Sequence, residues 1–215
     1  MVLNLMNYLN IQFIRDTYVH PNSVTIKKAS MDRKSFFPDD PIIPSTVTKK
    51  EWLYAVAIDY DEVIEKLDEE SNWGKWLLFH DHIEMSPSTG LTRHDNAWQY
   101  IMRLVENHSS KMTGLICAKC STGWMGERAA DPSSTFGVIC CYTTDCFNKR
   151  LAKKAANSIR RVYKYPKNMF YKTDEDTRAK KYRHLGHRFV SIYKHTIENE
   201  MFERDPVVPF QWNRV

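Results

Sequence analysis

Features that would place a protein in a membrane or a secretory pathway are missing from this chain. No stretch approaches the ~18 consecutive apolar residues that cross a bilayer. The first residues, MVLNLMNYLNIQFIRDTY, lack a basic region, an uninterrupted apolar region and a small-residue cleavage site, so they do not match a signal peptide. We therefore expect a cytoplasmic protein that has no membrane partner.

A disulfide framework is also not indicated, because five cysteines is an odd number in a chain of this size. Such a count fits a reducing compartment. The pair Cys117-x2-Cys120 and the group Cys140, Cys141 and Cys146 could supply the four thiolates of a structural zinc site. On straight strands, however, residues an odd number of positions apart point to opposite faces, and this applies both to Cys117 with Cys120 and to Cys140 with Cys141. We interpret the thiols as core side chains and expect no cofactor; the weak zinc candidates are Cys117, Cys120, Cys140 and Cys146.

No catalytic arrangement can be identified from residue spacing. His80, Asp81, His82 and Glu84 could ligate a metal, and His184 and His187 are spaced three residues apart. Histidine and aspartate are ordinary in exposed loops, and no nucleophile stands near a base in the sequence. We expect a protein that is not an enzyme, with an enzyme acting on a phosphorylated substrate as the alternative.

The distribution of charge is the strongest physical signal. The chain has 215 residues, of which 42% are hydrophobic and 13% aromatic, which suits one globular domain. Residues 148–194 contain fifteen Lys/Arg and three Asp/Glu, whereas residues 1–147 contain fourteen and nineteen. A basic segment in an otherwise acidic chain favours one surface that binds a polyanion. The alternative is a solvated charged surface without a partner.

Short apolar runs predict strands, and helical periodicity predicts two long helices. The predicted strands are WLLF within GKWLLFHD, TGLICAKCST, FGVICCYT, NMFYKT and HRFVSIYKHT. Trp98, Ile101, Met102 and Val105 recur at helical spacing after Asp95, a candidate N-cap. A second helix begins near Asp145, with Leu151, Ala155, Ile159 and Val162 facing inward. The segment STVTKKEWLYAVAIDYDEVIEKLDEESN also has helical spacing at Val63, Ile64 and Leu67.

This order of elements predicts an α+β domain with a mostly antiparallel, curved sheet that helices back on one face. We assign residues 51–197 to that domain. Residues 1–50 contain a proline-rich stretch and are predicted to form an N-terminal arm. Residues 198–215 have two prolines and no period, and are predicted to form an extended C-terminal tail. We expect a monomer.

The second long helix and the segment after it carry the candidate RNA-binding cations. Phosphate contacts supply most sequence-independent affinity for nucleic acids, and aromatic rings stack on unpaired bases. Tyr163, Tyr165 and Tyr182 are interleaved with these cations. The candidate residues are Lys149, Arg150, Lys153, Lys154, Arg160, Arg161, Lys164, Arg178, Lys180, Lys181, Arg183 and Arg188.

Several short segments resemble a known family. Tyr142–Cys146, an aromatic-Thr-Thr-acidic-Cys element that leads into a long helix, is similar to the second half of translation initiation factor 4E-like domains. A closer resemblance is to a divergent branch of that fold, the basophilic-leukaemia-expressed protein family. The residues that carry it are Gly74–Trp76, Ala118–Thr122, Ile139–Thr143 and Tyr171–Tyr182.

The resemblance implies a 4E-like fold and a ribosome-bound dormancy, or hibernation, factor. Such a protein would bind rRNA and ribosomal proteins near the tRNA exit site and block access of tRNA or mRNA. Cap recognition, the activity of other 4E-like proteins, needs two Trp rings around a methylated guanine and a Glu on its edge. No Trp-Glu pair stands in the expected loop, where Trp124 and Glu127 are the nearest match, and core packing is expected for the other tryptophans. An mRNA-cap or nucleotide-binding module is therefore the alternative function.

Overall fold

Eight strands form one antiparallel sheet among the described residues of the computed structural model. The structure describes residues 42–67, 72–81, 84–124 and 136–215, and for Phe136 it describes the backbone alone. The order across the sheet is β1-β3-β4-β2-β5-β6-β7-β8. The strands are β1 (Trp52–Val56), β2 (Gly74–Asp81), β3 (Cys117–Ser121), β4 (Phe136–Thr143), β5 (Met169–Thr173), β6 (Tyr193–His195), β7 (Met201–Arg204) and β8 (Trp212–Arg214). The predicted α+β class and the antiparallel sheet are confirmed.

The helices of the described residues comprise two long ones and three short ones. They are α1 (Tyr60–Ile64), α2 (Arg93–Glu106), α3 (Ser110–Thr113), α4 (Lys149–Val162) and α5 (Asp174–Arg178), with 3-10 turns at Pro44–Thr46 and Arg183–Leu185. Among them, none is both long and apolar enough to cross a bilayer.

The start of α2 differs from the prediction. Its N-cap is Thr92, whose hydroxyl accepts a hydrogen bond from the Asp95 backbone N–H at 3.0 Å. The Asp95 carboxylate accepts in return from the Thr92 backbone N–H, which completes a capping box. The same carboxylate accepts from the backbone N–H and the hydroxyl of Ser45, both at 2.8 Å. The predicted N-cap, Asp95, was therefore wrong, since the helix begins three residues earlier. The first turn of the helix contains polar residues, so the apolar spacing used for the prediction starts only after it.

The helix-covered face of the sheet carries the hydrophobic core. Trp76, Leu78, Ile139 and Tyr171 are fully buried there against side chains from both long helices. On α4 the buried residues are Ala152, Ala155, Ala156, Ser158 and Ile159, so two of the four predicted inward positions, Ala155 and Ile159, are buried. The other two, Leu151 and Val162, are half-buried. Small alanine side chains let α4 pack close to the sheet, and the Trp76 indole donates to the Ala152 carbonyl at 2.9 Å.

Two segments predicted as helix and tail are strands. Trp52–Val56, in the first part of the segment with helical spacing, forms the edge strand β1, paired with β3, and Tyr60–Ile64 of the same segment forms the expected helix as α1. The predicted C-terminal tail contributes β7 and β8, which belong to the same compact unit as the rest of the sheet. The residues of β1 stand directly before the helical spacing of Val63, Ile64 and Leu67, whereas β7 and β8, of four and three residues, lie in no apolar run and are held by pairing with their neighbours.

The predicted N-terminal arm is described only from residue 42 onward, and residues 1–41 lie outside the described range. The described end of that segment is attached to the domain. The Pro44 carbonyl accepts from the Gly123 backbone N–H at 3.0 Å, and Ser45 binds Asp95 at the start of α2. Residues 43–50 therefore belong to the domain, since their contacts are with α2 and with the residues that follow β3.

Candidate nucleic-acid interface

The face of the sheet turned away from α2 and α4, called the open face below, carries alternating cations and aromatic rings. The strand register places paired residues on the same face. Lys75 is paired with both Tyr142 and Lys172, and Lys194 is paired with both Phe170 and Phe202. The open-face cations are Lys75, Lys119, Lys172, Lys194, Arg204 and Arg214, and its rings include Trp52, Tyr54, Tyr142, Phe170, Phe202 and Trp212.

Most of these cations lie directly over a ring. Lys119 Nζ is 4.3 Å from the Trp52 ring centroid, and Lys194 Nζ lies between Phe202 at 4.7 Å and Trp212 at 5.0 Å. The Arg204 guanidinium is 4.2 Å from the centroid of the Trp212 ring. Cation–π contacts of this kind hold both partners in place. They create a surface on which positive charge and flat apolar area alternate, the combination that binds single-stranded nucleic acid.

At the centre of the open face the lysines are buried. Lys75 and Lys172 are 4% and 3% exposed. Lys75 Nζ forms an ion pair with the Asp174 carboxylate at 2.5 Å, and Lys172 Nζ donates to the Lys181 carbonyl at 2.7 Å. Burial and the neighbouring Lys75 charge lower the pKa of Lys172.

The basic loop of residues 178–188 lies beside the open face. Tyr182 anchors it, because the Tyr182 ring lies 3.8 Å from Lys172 Nζ. On both sides of Tyr182 in the chain, the loop carries five of the predicted RNA-binding residues, all of them exposed: Arg178, Lys180, Lys181, Arg183 and Arg188. Phe189, which follows the loop, lies 5.2 Å from the Arg204 guanidinium.

The predicted cations on α4 lie on the opposite side of the sheet. Lys149 pairs with Glu203 at 2.6 Å, Lys153 donates to the Val215 carbonyl at 2.8 Å, and Lys154 donates to the Lys111 carbonyl. Arg160 is half-buried and hydrogen-bonded to the protein, whereas Arg150, Arg161 and Lys164 are exposed. The sequence favoured one basic surface, but α4 packs on the helix-covered face, whereas Tyr182 of the 178–188 loop contacts Lys172 of the open face.

The three tyrosines interleaved with the candidate cations, Tyr163, Tyr165 and Tyr182, also lie in different places. Tyr165 is buried, and its hydroxyl donates to the Phe79 carbonyl at 3.2 Å. Tyr163 is half-buried against His80, with ring centroids 5.5 Å apart. Only Tyr182 of the three contacts an open-face cation.

Tryptophan placement also departs from the expectation. Trp76 and Trp98 are core residues as expected, but Trp52, Trp73 and Trp212 are half-buried on the open-face side. Trp124 is half-buried at the end of the described 84–124 range, and Glu127 lies outside the described residues. Four of the six tryptophans are thus half-buried, outside the core.

The five cysteines are free, buried and divided between the two faces. Cys120, Cys141 and Cys146 pack in the helix-covered core, whereas Cys117 and Cys140 are on the open face with Tyr142 and Lys119. Because of this division the four candidate thiols do not converge on one ion, and no group of three metal-ligating side chains occurs within the described ranges. Burial raises the pKa of Cys117 to about 12, so its thiol stays protonated.

Of the histidine candidates, His80 is buried on the helix-covered face, and His82 lies outside the described residues. His184 and His187 are exposed in the basic loop. The structure also brings together a pair that spacing did not reveal, because the Cys120 thiol is 3.1 Å from His94 Nε2. That nitrogen is 2.9 Å from the Ser121 carbonyl, which only accepts, so Nε2 carries the proton and cannot act as a base toward the thiol.

The open-face lysines were missed by sequence reasoning, although a signal for them exists. Each of these lysines stands between two buried residues of a strand. The segments are GKW for Lys75, AKC for Lys119, YKT for Lys172 and YKH for Lys194. A lysine between two inward positions of a strand must point to the other face.

Comparison with known proteins found no family model that matches the chain and no matching curated protein.

Proposed function

We propose that this chain is an RNA-binding protein that associates with the ribosome and acts as a dormancy factor. It would bind rRNA and ribosomal proteins and block tRNA or mRNA access. The observation that carries the proposal is that the exposed cations of residues 178–188 lie on the same side of the sheet as the cation–aromatic pairs of the open face. The exposed cations would contact phosphates, and the rings would stack on unpaired bases.

The proposed family is the 4E-like fold in its basophilic-leukaemia-expressed branch. In its support, an antiparallel sheet is covered on one face by α2 and α4, as that fold implies. Two segments of the resemblance, Gly74–Trp76 and Ile139–Thr143, lie on the neighbouring central strands β2 and β4. The element Tyr142–Cys146 joins β4 to the residues that precede α4.

Co-sedimentation with ribosomes tests the proposal. We expect the purified full chain to pellet with ribosomes at low salt and to dissociate steeply as salt rises, because each phosphate contact releases counterions. The double variant Arg183→Gln/Arg188→Gln should weaken binding and reduce the slope of log K against log[salt] by about two. Each residue is exposed, so the fold should be unaffected.

The matched control is Arg150→Gln/Arg161→Gln, which removes two exposed cations from α4 on the other side of the sheet. Its affinity and salt slope should equal those of the unaltered protein. If the control loses affinity and the loop variant does not, the contact surface is α4 and the open-face assignment is wrong. Absence of co-sedimentation at low salt would overturn ribosome association itself.

A further inference from the structure

The turn between β7 and β8 holds an aromatic ring out in the solvent. Phe210 is 75% exposed, and Val207 of the same turn is 85% exposed. Hydrogen bonds fix the turn. The Asp205 carboxylate accepts from the backbone N–H groups of Val207 and Val208 at 2.9 and 2.8 Å, and the Gln211 N–H donates to the Val208 carbonyl at 2.8 Å. Exposed apolar side chains mark contact sites, and a turn that is already ordered loses little conformational entropy when a partner binds.

Phe210 is the outermost member of a series of rings and cations that begins on the open face. Lys194 Nζ is 5.0 Å from the centroid of the Trp212 ring. The Arg204 guanidinium is 4.2 Å from the same ring and 5.2 Å from the Phe189 ring. The Phe189 and Phe210 rings meet at an interplanar angle of 88°, with their centroids 4.9 Å apart. Because each member contacts the next, the open face continues to Phe210.

Phe210 is the ring of this series with the most open surface. Arg204 lies over one face of Phe189 and over one face of Trp212. Trp212 is half-buried, and Phe189 is 40% exposed. Phe210, by contrast, contacts Phe189 and has three quarters of its surface accessible. Its ring is therefore the one that can accept another flat group.

The cations beside these rings have no acidic partner. Arg188 directly precedes Phe189 in the chain and is exposed. Arg183 is also exposed, and burial together with the nearby Arg183 charge lowers the pKa of Arg204. In the part of the chain that the structure describes, none of the three arginines has a carboxylate within ion-pair distance. The surface around Phe189 therefore favours an anionic partner.

We propose that Phe210 stacks on an unpaired base of single-stranded RNA whose phosphates contact Arg183 and Arg188, an inference that rests on the RNA-binding function proposed above. Every base has a flat face, so this ring would accept any base and confer no sequence preference. Bases inside a duplex are stacked on one another and do not reach Phe210, so the site would select single strands. An apolar protein surface fits less well, because it would desolvate the neighbouring arginines without supplying a counter-ion.

Fluorescence anisotropy with two RNAs tests the inference: a single-stranded oligonucleotide with an internal label, and the same labelled strand in a duplex. Phe210→Ala should weaken binding of the single strand about ten-fold, as expected when a stacking ring is removed, and should leave duplex binding unchanged. Phe210→Leu keeps an apolar side chain without the flat ring, so its loss should be nearly as large. Both variants should fold normally, because Phe210 is exposed, and thermal unfolding checks this.

Two control variants separate stacking from the other contributions to binding. Val207→Ala shortens a more exposed apolar side chain of the same turn that has no ring, and it should bind both RNAs as the unaltered protein does. Arg183→Gln/Arg188→Gln removes phosphate contacts and should weaken the single strand and the duplex alike.

Unchanged binding of the single strand by Phe210→Ala would overturn the stacking site and leave RNA binding standing. Full affinity in Phe210→Leu would show an apolar contact in place of stacking and would also overturn it. If Phe210→Ala lowers co-sedimentation with ribosomes but not affinity for either RNA, the turn contacts a ribosomal protein and the proposal is wrong. Failure of the unaltered protein to bind either RNA would count against both the site and the proposed function.

Discussion

Replacing Arg160 with glutamine is expected to lower the free energy of unfolding by about 3 kcal/mol, since hydrogen bonds to charged groups contribute about 1.5–3 kcal/mol each and several are lost together. Arg160 belongs to the basic run of α4, but its guanidinium joins the helix to the strands around it. It donates to His195 Nδ1 at 3.0 Å, to the Tyr165 carbonyl at 2.8 Å and to the Lys167 carbonyl at 2.8 Å. A shorter neutral side chain leaves these acceptors without their donor.

The neighbouring arginine provides the control. Arg161 is exposed and carries the same charge, so Arg161→Gln should change stability by no more than about 0.5 kcal/mol. Urea unfolding followed by tryptophan fluorescence measures both variants. Comparable stability of the two would contradict the structural role of Arg160. A loss of ribosome affinity in folded Arg160→Gln protein would show that this residue contacts RNA, as the sequence prediction had it.

Acid is expected to destabilise the protein steeply between about pH 6.5 and pH 4. Burial lowers the pKa of His80 to about 3 and that of His195 to about 4. Both are uncharged when folded and take up a proton more readily when unfolded. Their contribution to stability is therefore complete above the unfolded pKa and is lost as pH falls, at about 1 kcal/mol per pH unit for each histidine.

His80 is the residue to change, because its ring nitrogens have no hydrogen-bond partner within the described ranges. Its ring packs against Tyr165, Tyr163 and His94 at centroid distances of 5.2, 5.5 and 6.0 Å. His80→Phe fills the same space without a group that must stay neutral. We expect an equal or higher melting temperature at neutral pH and a shallower decline toward pH 4 in thermal unfolding.

Two comparisons complete the measurement. His187→Phe changes an exposed ring and should leave the acid slope of the unaltered protein in place. His195→Phe is not an equivalent test, because the His195 ring accepts from Arg160 and is 2.9 Å from the Asn157 amide oxygen, so both contacts would be broken. An acid slope in His80→Phe equal to that of the unaltered protein would show that other groups govern acid unfolding.

Most central elements were predictable because their residues repeat a pattern over enough positions. Strands β2 and β4 span eight residues each, and both long helices have recognisable apolar periods. Of the short strands, β3, β5 and β6 were predicted from apolar runs, whereas β1, β7 and β8 were not, since they depend on pairing with other segments. Trp52 is paired with Ser121, and Arg204 with Trp212.

The sequence predicted which basic residues are candidates for the interface, but not which side of the sheet each one occupies. A local count of charge identifies a basic segment but does not report which side chains already have partners. Lys149 is paired with Glu203, 54 residues away, and Arg160 is bound to the carbonyl of His195, 35 residues away. Conversely, Lys75 and Lys119 stand in an acidic part of the chain, and only the strand register shows that they share the open face with Lys172.

The sequence by itself determined the α+β class, the central strands and the two long helices, because these depend on periodicity and local propensity. It also determined that the positive charge would be concentrated after residue 148. Only the tertiary structure decided which face of the sheet each cation occupies. Strand register and helix packing assign the faces, so they divided the basic segment between two sides and placed lysines of β2, β3 and β5 together on the open face.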